Sequence, residues 1–182
     1  MAKKKKIIKE QTSEPVTNCD QSLEPVANCD QLVKVDANGE INHIIVHCTA
    51  SKPNVDLHVK NVNDMHLGNG WRGIGYHYLI ALDGTIEVGR DIAVAGAHCN
   101  APNINATSIG VAYVGGLDEE GNPCDTRTPA QKVALRHLLT LLKSIWPKAE
   151  ISGHRDWSNK ACPCFDALKE YKDIEALPVN LN

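Results

Sequence analysis

Residues 41–48, INHIIVHC, set the fold class of this chain. Apolar and β-branched residues occupy both alternating faces of the run, which predicts a strand that is buried on both sides. Strands of this kind lie at the centre of a sheet that is covered by helices. The run ends on His47 and Cys48, and functional groups in such sheets are commonly found at strand ends. The sequence therefore predicts an α/β domain with His47 as a candidate site residue.

The segments after this run alternate between strand and helix patterns. Four further strands are predicted, over 76–82, 85–89, 108–114 and a short run from Ile151. The first two flank Asp83 and Gly84, a dipeptide typical of a tight hairpin turn. Three helices are predicted, one capped by Asn54 or Asp56, one opened by Thr128 and Pro129, and one over 165–172. Because a hairpin adds an antiparallel strand, we expect a single α/β domain with a central mixed β-sheet covered by helices on both faces.

Residues 1–37 differ in kind from the rest of the chain. The stretch 22–31, SLEPVANCDQ, nearly repeats 12–21, TSEPVTNCDQ, at a spacing of ten residues. Two copies cannot bury a core, because stacked repeats usually need at least about three units. We therefore expect a flexible N-terminal tail over 1–37 and one folded domain over 38–182, a length within the usual range for a single domain.

A second informative stretch is HRDWSNKACP, residues 154–163. Imidazole and thiolate are ligands that zinc prefers, but His154 and Cys162 are spaced too loosely for a finger-type structural site. His47 is the best third ligand, because a catalytic zinc typically has three protein ligands and a water. The ammonium of Lys160 could stabilise a developing negative charge. These residues favour a metal-assisted reaction, whereas the alternative is a buried core histidine and an inert thiol.

Five further motifs stand in order along the chain: IVHCTAS (45–51), GYHYLI (75–80), DGTIEVGR (83–90), AH (97–98) and SIGV (108–111). Together with 154–163, this series resembles the zinc N-acetylmuramoyl-L-alanine amidases, above all the small phage amidases that are called lysozymes. Their fold is shared with the peptidoglycan recognition proteins. The resemblance covers about 42–171 and departs at Cys164, where the family pattern has a small residue such as Ser or Gly. Cys164 is therefore an alternative to Cys162 as the sulfur ligand.

The resemblance implies a zinc ion held by His47, His154 and Cys162. It also implies two catalytic residues, Tyr76 and Lys160. Tyr76 would orient or deprotonate the attacking water, and Lys160 would donate a hydrogen bond to the oxyanion of the tetrahedral intermediate.

Two histidines near these positions need separate interpretation. Strand alternation puts Tyr76 and His77 on opposite faces of the sheet and leaves open which one faces the metal. The resemblance selects Tyr76, so we expect His77 to be a core residue or to support the site from behind. The resemblance also implies that His98 lines the substrate cleft and hydrogen-bonds the muramoyl or peptide part of the substrate.

The activity implied by the resemblance is zinc-dependent hydrolysis of the amide bond between N-acetylmuramic acid and L-alanine in bacterial peptidoglycan, as in an endolysin. The family offers two alternatives: a non-catalytic peptidoglycan-binding module, and a phage protein that also binds and inhibits RNA polymerase. Non-catalytic members typically lack the sulfur ligand, whereas this chain has Cys162.

Composition bears on partners and location. The formal net charge is −3, which disfavours a nucleic-acid-binding domain with a basic stripe. The start, MAKKKKIIKE, lacks the apolar segment of a signal peptide, and no run is long enough to span a bilayer. Seven cysteines cannot all pair within one chain, so we expect free thiols and a reducing compartment. We expect a monomer without a nucleic-acid or membrane partner, cytoplasmic as synthesised, that reaches the cell wall on lysis or by a separate export route.

Overall fold

A computed structural model of the chain describes residues 40–174, so the predicted tail over 1–37 lies outside the described residues. At its centre is a five-stranded sheet in the order β3-β2-β4-β1-β5. The strands are β1 (His43–Cys48), β2 (Tyr78–Ile80), β3 (Ile86–Val88), β4 (Ser108–Tyr113) and β5 (Glu150–Gly153). Four of them run parallel, whereas β3 is antiparallel to β2. The prediction of a mixed sheet with a hairpin around Asp83 and Gly84 is confirmed.

Within residues 40–174, three α-helices pack against the sheet: α1 (Val59–Gly68), α2 (Pro129–Ile145) and α3 (Ala167–Glu170). Helix α2 and α3 share a core with Ile44 and Val46, which point to one face of β1. On the opposite face, Val62 of α1 packs with Leu79 and Ala112. Helices therefore cover both faces, as predicted, and β1 is a central strand because its apolar residues are buried on either side.

The start of α2 has the predicted chemistry. The Thr128 side chain accepts a hydrogen bond from the backbone N–H of Gln131 at 3.0 Å, and Pro129 occupies the first helical position. Proline suits this position because its missing N–H would have had no partner inside the helix.

Two helix boundaries differ from the prediction. Helix α1 begins at Val59 rather than after Asn54 or Asp56, and the backbone N–H of Val59 donates to the Glu87 carboxylate at 2.7 Å. A side chain from β3 thus satisfies the helix end, so a local acidic cap is not needed. Helix α3 is shorter than 165–172 and begins after Asp166, whose carboxylate accepts from the backbone N–H of Lys169.

Strand β4 is asymmetric, with large side chains on the α2 face and small ones on the α1 face. Ile109, Val111 and Tyr113 belong to the core beneath α2. The alternate positions, Ser108, Gly110 and Ala112, are small. Side chains of neighbouring segments therefore have room above this part of the sheet on the α1 side. Within residues 40–174, no helix combines the length and apolarity needed to cross a membrane.

Arg127 links the loop before α2 to the segment that contains Phe165, Glu170 and Tyr171. Its side chain is 1% exposed and donates to the Asp125 carboxylate at 2.8 Å and to Glu170 at 2.9 Å. The guanidinium also lies over the Phe165 ring, 3.3 Å from its centroid, and donates to the Tyr171 hydroxyl. Arg127 is buried, whereas its two carboxylate partners reach solvent. Removal of the arginine therefore leaves both carboxylates without a cationic partner, but it leaves no unpaired charge in the core.

We predict that Arg127→Leu lowers the free energy of unfolding by about 3 kcal/mol, the low end for breaking a buried ion pair, because both carboxylates keep some contact with water. Denaturant unfolding measures this difference. The control is Arg136→Leu, which removes an exposed pair with Asp173 and should cost less than about 1 kcal/mol. Equal losses in the two variants would contradict a buried clamp at Arg127.

Candidate metal centre and active site

Three predicted ligands meet at one edge of the sheet. His47 lies near the end of β1, His154 follows β5 directly in a short 3-10 turn, and Cys162 lies in the next loop. Their ligand atoms all lie within 4.8 Å of one another. His47 Nδ1 is 3.8 Å from Cys162 Sγ, and the two imidazole centroids are 4.6 Å apart. Two nitrogens and one sulfur are thus arranged so that they could hold one metal ion.

The loop that contains Cys162 is fixed on several sides. The backbone N–H of Cys48 donates to Cys162 Sγ at 3.3 Å. The hydroxyl of Tyr113 donates to the Pro163 carbonyl at 2.7 Å. Pro163 also packs directly on Gly153, where an added Cβ would lie only 2.6 Å from the proline Cδ. A glycine at the end of β5 therefore allows the sulfur loop to approach the two histidines.

The electrostatics favour the protonation states that zinc ligands need. A hydrogen bond from the Cys48 thiol lowers the pKa of Cys162 despite its burial, with help from the Cys48 backbone N–H and the Lys160 charge. Burial lowers the pKa of His47 and of His154, and the Lys160 charge adds to both effects. A thiolate and two neutral imidazoles are the forms that bind metal, and this donor set fits zinc.

Cys164, the alternative sulfur, lies apart from these three ligand atoms. Its Sγ donates to the Gly116 carbonyl at 3.1 Å and lies 3.9 Å from Cys48 Sγ. Burial and the neighbouring Cys48 raise the pKa of Cys164 to about 12, so this thiol stays protonated at neutral pH. The geometry and the protonation both favour Cys162 as the ligand.

Tyr76 lies beside the histidines, with its ring centroid 5.2 Å from that of His47. Burial raises the pKa of its phenol, and the nearby Cys162 and Cys48 thiols raise it further, so the phenol is neutral at physiological pH. Because β2 begins only at Tyr78, the strand alternation that we applied to Tyr76 and His77 does not extend to them. His77 is fixed by the backbone: its Nε2 donates to the Val94 carbonyl, and its Nδ1 accepts from Gly110 N–H.

Lys160 is exposed. Together with Arg155, it lines a surface cavity of about 450 Å³ that also borders Cys164. Its charge is close enough to lower the pKa of both His47 and His154, the predicted histidine ligands. This cavity adjoins the Cys162 loop and is lined by two positively charged side chains.

His98 is buried behind His47, with 7% of its surface exposed. Its Nδ1 lies 3.0 Å from His47 Nε2, and its Nε2 lies 3.3 Å from Ser108 Oγ. Both ring nitrogens thus have partners within the protein, so the expected substrate contact of His98 stays a prediction. The sequence analysis missed Ser108 as part of this arrangement, although the small alternate residues of β4 signal a hollow on that face.

Comparison with known proteins identifies the family of this chain. Residues 37–165 match the family described as N-acetylmuramoyl-L-alanine amidase. An endolysin of Enterobacteria phage K11 is 44% identical over 136 residues, which cover 75% of this chain and 89% of the relative.

Solved structures show the same fold. The amidase endolysin LysCS of Clostridium intestinale is 30% identical, with a TM-score of 0.62 over 78% of this chain and 87% of that one. A Drosophila PGRP-LB variant in complex with tracheal cytotoxin is 25% identical, with a TM-score of 0.60 over 74% of this chain and 82% of that one. On the family match and the endolysin identity, the chain belongs to the N-acetylmuramoyl-L-alanine amidase family.

Proposed function

We propose that this amidase is a zinc enzyme that cleaves the bond between the lactyl group of N-acetylmuramic acid and L-alanine, with His47, His154 and Cys162 as the metal ligands. The observation that supports it most directly is the convergence of these three ligand atoms within 4.8 Å. Their neutral imidazoles and favoured thiolate match what zinc requires.

Zinc bound by three protein ligands supplies Lewis acidity and acidifies a water molecule to a pKa of about 7. Tyr76 lies beside His47, and its raised pKa keeps the phenol protonated. A neutral phenol can hold the attacking water through a hydrogen bond but is a poor base at neutral pH. Of the two roles expected for Tyr76, orientation of the water is therefore the better supported.

Lys160 is proposed to stabilise the transition state. Attack on an amide carbonyl places negative charge on its oxygen, and a positioned ammonium donor lowers the energy of that charge. Lys160 is close enough for its charge to lower the pKa of both proposed histidine ligands. Its exposure leaves the ammonium free to meet a substrate that arrives from solvent.

We further propose a biological setting in which the protein acts as a monomer on bacterial peptidoglycan after host lysis or separate export. The match to a phage endolysin over three quarters of the chain supports this setting. The presence of Cys162 among the ligands argues for catalysis rather than peptidoglycan binding alone, since a site without its sulfur ligand would hold zinc poorly.

We predict that Cys162→Ser loses most of its bound zinc, because a hydroxyl is a far poorer zinc ligand than a thiolate. Cys164→Ser is the matched control and should retain about one zinc per chain, since its sulfur faces the Gly116 carbonyl. Elemental analysis of the dialysed proteins measures both. Zinc retained in the first variant and lost in the second would move the sulfur ligand to Cys164.

The activity itself is tested by incubating the purified protein with peptidoglycan and identifying the new chain ends. We expect free L-alanine amino termini and no new reducing sugars, because the proposed chemistry breaks a C–N bond and leaves the glycan links intact. Tyr76→Phe and Lys160→Ala should keep their zinc, and the Lys160 variant should lose turnover by about a hundredfold or more.

Measuring the zinc content of each inactive variant shows whether the residue is needed for metal binding or for the reaction. An inactive variant that also lost zinc would show that the residue supports the metal rather than the reaction. New reducing ends from the wild-type protein would mean that it is a glycosidase, and the amide chemistry would be wrong.

A further inference from the structure

His98 occupies a position that the reaction described above does not use. It lies in the segment between β3 and β4, buried against the α1 face of the sheet. Its ring bridges two side chains, with Nδ1 3.0 Å from His47 Nε2 and Nε2 3.3 Å from Ser108 Oγ. His47 in turn directs its other nitrogen, Nδ1, toward Cys162 Sγ. Ser108, His98 and His47 therefore form a hydrogen-bonded chain that ends at the proposed metal site.

The space around the His98 ring is built to hold it. An added Cβ at Gly96 would lie 2.4 Å from His98 Cδ2, and one at Gly110 would lie 2.5 Å from the same atom. Any side chain at either position would displace the ring. The backbone is also fixed, because Asn105 Oδ1 accepts from the N–H groups of both His98 and Cys99 at 3.1 Å. The ring is thus clamped between two backbones.

The hydrogen-bond chain selects one tautomer for each histidine. A metal-binding imidazole needs a free lone pair on the coordinating nitrogen, which for His47 is Nδ1. The His47 proton then resides on Nε2 and is donated to His98 Nδ1. The His98 proton must reside on Nε2, from which it is donated to Ser108 Oγ.

We propose that His98 is a positioning residue that holds His47 in its metal-binding tautomer and orientation, and that Ser108 fixes His98 in turn. This proposal rests on the zinc site of the proposed function. Groups that orient a ligand from behind typically change metal affinity by about 10- to 100-fold when they are removed.

The test measures zinc affinity by competition with a chromophoric chelator. His98→Leu fills the space but cannot accept a hydrogen bond, so zinc binding should weaken by about 10- to 100-fold. His98→Asn can place an amide oxygen near the former Nδ1 position and should recover most of the affinity. His137→Leu, at an exposed position on α2, is the matched control and should bind zinc like the wild type.

A second variant covers the case in which His98→Leu does not fold. Ser108→Ala leaves the His98 ring in its clamp and removes the hydroxyl beside Nε2, while the hydrogen bond between His98 and the Ser108 backbone is kept. We expect a cooperative melting transition and a smaller loss of zinc affinity in the same direction.

Four results test the proposal and the metal site on which it rests. Unchanged zinc affinity in a folded His98→Leu variant overturns the proposal, and a rise in KM alone would instead assign His98 to the substrate, as the family resemblance implies. No rescue by His98→Asn would also overturn it, since the lost hydrogen bond would not be the cause. Failure of the wild-type protein to bind zinc would overturn the proposed metal site itself.

Discussion

The parallel pairing of β1 with β5 is the constraint on which the site depends. Val46 pairs with Gly153, so His47 and His154 each follow a paired residue by one position. Neighbouring strands lie about 4.8 Å apart, which agrees with the 4.6 Å between the two imidazole centroids. A slip of one residue in this register would turn one of the rings to the other face. Burial of Ile44 and Val46 on the α2 face opposes that slip, because it would expose apolar side chains.

The third ligand reaches the site through packing on the opposite side of the sheet. Pro163, next to Cys162, is held by the Tyr113 hydroxyl from the α2 face. Phe165, two residues further on, lies under the Arg127 guanidinium. The contacts of Pro163 and Phe165 with the rest of the domain therefore also hold the Cys162 loop near the two histidines. This packing therefore also supports the proposed metal site, since loosening the loop would move Cys162 away from His47.

Elements with strong local signals were predicted well from the sequence. The double-sided apolar run predicted β1 as a central strand, and Thr128 with Pro129 predicted the start of α2. The start of α1 was predicted wrongly, because its capping acceptor, Glu87, is a tertiary partner 28 residues away in the chain. A local pattern cannot reveal such a partner.

In the candidate site too, some residues could be identified from the sequence, whereas other contacts could be found only in the structure. His47, His154 and Cys162 were named from motifs, and the structure brings them together. The link from His98 to His47 joins residues 51 positions apart and depends on the hollow above Gly110, which only the packed sheet creates. The relation of Tyr76 to His77 also needed the structure, because both residues lie before the strand whose alternation we had applied to them.

The central claim is that two imidazoles and one thiolate hold a single zinc ion. X-ray absorption spectroscopy of the zinc-loaded wild-type protein tests it most directly, because the signal counts the sulfur and imidazole neighbours of the metal. We predict one sulfur and two imidazoles, from Cys162, His47 and His154. Two sulfur neighbours would contradict the account, since Cys48 or Cys164 would then share the metal and the thiol assignment would fail.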